Sequence, residues 1–75
     1  MKITATTHNE FLVETGDLTA DLRPIVTRCF LGGNILRTAP CKAGEISTVP
    51  FIHVVLGPVS FAEVTALKVG QSVTL

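Results

Sequence analysis

The chain has 75 residues, no formal net charge at neutral pH and 47% hydrophobic residues. It is long enough for one domain, which at this size buries only about 60% of the surface its unfolded chain exposes, so part of the apolar area is expected to remain outside as a partner surface. The longest apolar stretch, residues 51–59, contains His53, Gly57 and Pro58 and is far short of the roughly 18 residues of a membrane helix. Polar residues 6–10 interrupt the N-terminus before any secretory apolar segment, so a cytoplasmic setting without membrane insertion is expected.

Val, Ile and Thr make up 24 residues, and β-branched side chains favour pleated sheet. Residues 2–7 alternate weakly and read as a short strand, which residues 11–14 continue after a break at residues 8–10. Thr15, Gly16 and Asp17 read as a turn, and residues 17–22 as one helical turn that Pro24 ends. The clearest local signal follows: residues 25–31 and 35–39 flank Gly32-Gly33-Asn34, a Gly-rich connection between β-branched runs that predicts a hairpin. With Gly33-Asn34 as a two-residue turn, Leu31 faces Leu36 and Phe30 faces Arg37. That register places Cys29, Leu31, Leu36 and Thr38 on one face, and Arg28, Phe30 and Arg37 on the other.

Pro40 to Ser47 reads as a loop. Residues 46–56 read as a long apolar strand run, in which Pro50 demands an edge position or a strand beginning at Phe51. Phe51, Ile52, Val54 and Val55 are expected in the core, and His53 is expected to be a hydrogen-bonded structural histidine among them. Ser60 and Glu63 have capping-box spacing, and residues 61–67 suit a two-turn helix with Phe61, Val64 and Leu67 on one side. Residues 69–71 turn the chain into a last strand at 72–75. The expected fold is therefore mostly β, a small barrel or an α+β roll. It has about five short strands, a hairpin at 25–39 and one short helix near 60–67, all in one domain spanning 1–75.

The residues that could carry chemistry are few. Cys29 and Cys41 are separated by eleven residues, and His8 and His53 are isolated; the close Cys and His pairs of a structural zinc site are missing, so no metal and no cofactor are expected. Cys29 suits a core position, whereas Cys41 suits an exposed loop beside Lys42. No nucleophile elbow, HExxH or phosphate-cradling glycine loop is present, so no catalytic residues are assigned and an enzyme is not expected. The four Phe are scattered over positions 11, 30, 51 and 61, Trp and Tyr are absent, and the net charge is zero; no nucleic-acid partner is expected on those grounds.

Charge is nevertheless sorted along the chain. Residues 1–22 carry a net −3 through Glu10, Glu14, Asp17 and Asp21 against Lys2, and residues 23–44 carry +4 through Arg23, Arg28, Arg37 and Lys42. Arg28, Arg37 and Lys42 near one hairpin are the candidate anion-binding residues, because guanidinium groups grip phosphate or carboxylate through paired donors. Phe30, Phe61, Val73 and Leu75 are the candidate interface residues, the last two because a C-terminal edge strand leaves backbone groups unpaired.

The segment 53–75 resembles the opening of the SpoA domains of flagellar and type III secretion rotor proteins. Leu56-Gly57 ends a strand, and Leu67, Gly70 and Val73 occupy the L-x-x-G-x-x-[IV] strand entry. The resemblance covers 23 of 75 residues; residues 1–52 do not resemble that family, and the chain is not assigned to it. What the resemblance implies is an intertwined homodimer acting as an assembly module. The leading expectation is accordingly a non-enzymatic interaction module that self-associates through apolar sheet surface or joins a larger protein assembly. The alternative is a small anion- or nucleotide-binding regulatory domain using the basic patch on the 25–42 hairpin.

Overall fold

In the computed structural model, which describes residues 1–45 and 49–75, the β-branched runs pair into a single antiparallel sheet that curls into a half-barrel. The strands are β1 (Lys2–Ala5), β2 (Glu10–Leu18), β3 (Pro24–Gly32), β4 (Ile35–Thr38), β5 (His53–Val55) and β6 (Ser72–Thr74). Their order across the sheet is β5-β4-β3-β2-β1-β6, so β5 and β6 are the two edges. The one helix among the described residues, α1 (Pro58–Thr65), links those edges. The fold is mostly β as expected, with six strands among the described residues where about five were expected.

Period-2 alternation decides the two faces. Ile3 and Ala5 of β1, Phe11 and Val13 of β2, Cys29 of β3 and Leu36 of β4 are buried on the inner face. Ile52 and Leu56, on either side of β5, and Val64 of α1 complete that core. Met1, Leu31, Val54, Leu67 and Val73 pack against it from the rim.

The β3–β4 register follows the sequence reading: Leu31 pairs with Leu36 and Phe30 with Arg37. Gly33 has φ +63° while Asn34 does not enter the left-handed region, the pattern of a turn that needs positive φ at its first central residue only.

Four expectations need correction. Residues 17–22 form no helical turn; they close a second hairpin between β2 and β3. Leu22 N–H donates to Thr19 O (2.9 Å), Thr19 N–H donates to Arg23 O (2.8 Å), and Leu22 takes φ +60°. A β-turn followed by a left-handed residue is a common three-residue hairpin loop. Thr15, Gly16 and Asp17 are not a turn but an irregular part of β2, where two extra residues fall between Glu14↔Val26 and Leu18↔Pro24 and Gly16 supplies φ +101°. The helix starts at Pro58, capped by Gly57 and without a side-chain cap bond, because proline suits a first helical position; Ser60 therefore lies inside the first turn and forms no capping box. Finally, β5 is only three residues long, and Phe51 and Val55 lie outside the core. The part of the expected strand at residues 46–48 lies outside the described residues.

Candidate functional site

The outer face of β3, β4 and β5 is where polar and aromatic side chains gather. Strand pairing sets Glu10, Phe30, Arg37 and His53 in one row across β2 to β5. One residue pair along, Leu12 faces Arg28. Backbone bonds from Ala39 N–H to Arg28 O (2.9 Å) and from Thr38 N–H to Ile52 O (3.0 Å) extend this second row through Ala39 to Phe51. A third row holds Gly32, Ile35 and Val55.

Two contacts shape the face. The Arg37 guanidinium carbon lies 5.8 Å from the Phe30 ring centroid, a cation–π geometry. The Phe51 and His53 rings lie 6.2 Å apart, tilted by 31°. Arg28 donates from Nη2 to Pro40 O at 3.3 Å, which draws the chain after β4 against β3. Between that segment and β2 runs a groove of about 410 Å³ lined by Asn9, Glu10, Arg28, Phe30, Ala39 and Pro40.

The expected anion-binding residues are thus partly assembled. Arg28 and Arg37 share the outer face, both exposed, and Arg28 lines the groove; Lys42 is exposed in the following loop and does not line it. The four expected interface residues fall in different places. Phe30 is half-buried on the outer face, Phe61 is on α1, Val73 is half-buried against the core from β6, and Leu75 is exposed just beyond it.

The residues that the sequence reading misplaced are Phe51, His53 and Val55. Phe51 is 74% and Val55 62% exposed, and His53 is exposed between them rather than a core histidine. Period-2 spacing separates odd from even residues here but does not say which set is inside; in the structure Ile52, Val54 and Leu56 turn inward and the odd-numbered residues outward. The same alternation governs the backbone. Ile52 O accepts from Thr38 N–H and Leu56 N–H donates to Asn34 O (2.7 Å), so the even-numbered residues bond to β4. The N–H and C=O groups of Phe51, His53 and Val55 point away from β4 and have no backbone partner among the described residues.

The cysteines differ sharply. Cys29 is buried and Cys41 exposed, both free; burial pushes the Cys29 thiol up to about 11. Among the described residues no three His, Cys, Asp or Glu side chains lie close enough together to hold a metal ion, and no helix is long and apolar enough to cross a membrane.

Compared with protein-family models, with curated proteins and with solved structures, the chain matches none.

Proposed function

We propose that the protein is a non-enzymatic interaction module that self-associates through its sheet, and that the β5 edge is where it does so. The observation that carries this reading is the edge itself: outward-pointing backbone groups at Phe51, His53 and Val55, flanked by the exposed apolar side chains of Phe51 and Val55. Such an edge is a template for another strand. Antiparallel pairing with a second copy, centred on His53, sets Phe51 opposite the partner's Val55 on both sides of a two-fold axis. That pairing is self-complementary, as a closed dimer interface must be. Aromatic–β-branched cross-strand pairs contribute about 0.2–1 kcal/mol each, so the association is weak and depends on concentration.

The test is amide hydrogen exchange at His53 and Val55 over a dilution series, in the parent and in Val55→Lys. Slow exchange at high concentration that speeds up on dilution, and is already fast in the variant, is the expected result. Fast exchange at every concentration in the parent removes the β5 edge from the account.

A second reading, anion binding by Arg28, Arg37 and Lys42, draws support from the shared outer face of the two arginines. A ligand that binds only the folded state raises the melting temperature, so tripolyphosphate is expected to stabilise the parent and not the Arg28→Gln, Arg37→Gln double variant. No shift in the parent removes this reading.

A further inference from the structure

We infer that the outer face of β3, β4 and β5 is a platform for single-stranded nucleic acid, with Phe30 and Phe51 stacking bases, Arg28 and Arg37 holding phosphates, and Asn9 and Glu10 meeting a base edge. The inference rests on the arginine face of the anion-binding reading and adds an identity for the ligand; it shares the Phe51 side chain with the β5 edge but does not require pairing there.

The sequence argued against such a partner because the Phe residues are dispersed and the net charge is zero. Folding removes both objections locally. Phe30 and Phe51 are 21 positions apart in the chain, yet they lie on one face two strands apart, in adjoining rows of the grid. With strands about 4.8 Å apart and a rise of about 3.4 Å per residue, the two rings stand roughly 10 Å apart across the sheet and roughly 7 Å along it. They are two separate stacking points, and each row holds one guanidinium: Arg37 next to Phe30 in the first, and Arg28 in the second with Ala39 between it and Phe51. Arg37 lies over the Phe30 ring, 5.8 Å from its centroid, and Arg28 shares the second row with Phe51. A guanidinium plane also serves as a stacking surface.

Charge supports the same occupant. Arg28, Arg37 and Lys42 belong to this half of the sheet and its following loop, with Glu10 at its border and Glu45 beyond Lys42. The other acids of the N-terminal half, Glu14, Asp17 and Asp21, lie on the far part of β2 and the β2–β3 loop.

The groove also places a carboxylate, Glu10, with Arg28 in one lining. Lined by Phe30 and Arg28 on one side and by Asn9 and Glu10 on another, with a volume of about 410 Å³, it has room for a base. Carboxylate and amide groups accept from and donate to base edges, as a glutamate accepts from a cytosine amino group. A bare phosphate makes no use of Glu10, whereas a nucleotide offers a base edge to it and a phosphate to Arg28.

Fluorescence anisotropy of a labelled short oligothymidylate and oligouridylate tests this, with the intact chain at low and at physiological salt. Binding in the range of about 10⁻⁶ to 10⁻⁴ M is expected, and log Kd is expected to change with log salt by about 0.7 per phosphate held. A duplex of equal length should bind more weakly. Phe51→Ala should weaken single-strand binding about fivefold or more. Phe30→Leu, which keeps apolar bulk at a half-buried site, should do the same while the melting curve stays unchanged. Arg28→Gln and Arg37→Gln should each flatten the salt dependence. Equal binding of duplex and single strand, equal competition by tripolyphosphate or polyglutamate, or Phe variants that bind like the parent would each overturn the platform and leave only an anion patch. If neither the oligonucleotides nor tripolyphosphate bind, the anion reading falls with it.

Discussion

Phe11 and Phe51 show how position on the pleat, rather than residue type, sets what a side chain contributes. Phe11 is fully enclosed on the inner face, so Phe11→Ala removes transfer energy and leaves a cavity; a loss of about 3–5 kcal/mol is expected in urea unfolding. Phe51, mostly in water, is expected to tolerate the same change within about 0.5 kcal/mol. Cys29 gives the molecule an alkaline limit. Its thiol ionises near 9.0 when unfolded and near 11 when folded, so the folded state holds the proton that the unfolded state releases. The contribution is constant below pH 9 and is lost as pH rises from 9 towards 11, at about 1.4 kcal/mol per pH unit at most. Urea midpoints measured across that range should fall in the parent and fall less in Cys29→Ala. Leu22 carries the only left-handed backbone among the described non-glycine residues, and its side chain is exposed. The strain is without a packing return, so Leu22→Gly is expected to raise stability by roughly 0.5–1 kcal/mol, read as a higher melting temperature.

At the level of elements, the two hairpins differ in how much the residues disclose. The β3–β4 hairpin is legible because Gly33 meets the one positive φ that its turn requires, and that fixes which residues face each other; Gly33→Val is expected to cost about 1–2 kcal/mol in urea unfolding through the left-handed penalty of a side chain there. The β2–β3 hairpin is hidden because residues 15–24 are exposed. A strand with both faces in water has no alternation of burial to impress on its sequence, so Asp17, Leu18 and Asp21 read as a helical turn instead. At β5 the difficulty is reversed. The run is apolar on both faces, so periodicity alone does not say that Phe51 and Val55 face outward. The site follows the same division. Arg28, Phe30 and Arg37 come together through a local hairpin register, whereas His53 and Phe51 join them only after β5 pairs with β4 across the connection from residue 39 to 52.

For the whole molecule, the curled sheet leaves two edges, β5 and β6; Phe51 and Val55 are exposed beside the first, while other exposed apolar side chains such as Leu22, Val59 and Val69 lie elsewhere. Zero net charge gives no like-charge barrier to association. Self-association through β5 and ligand binding on the outer face use neighbouring surfaces that share Phe51: the first uses backbone groups that point off the edge together with Phe51 and Val55, the second side chains that point off the face. A continuous sheet made from two copies would bring two such faces side by side. The measurement that tests self-association most directly is solution mass by light scattering behind size exclusion, over a hundredfold range of concentration. The mass is expected to rise from 8.0 kDa towards twice that value with concentration, and Val55→Lys is expected to hold it at the lower one. A parent chain that stays at 8.0 kDa throughout would contradict the account.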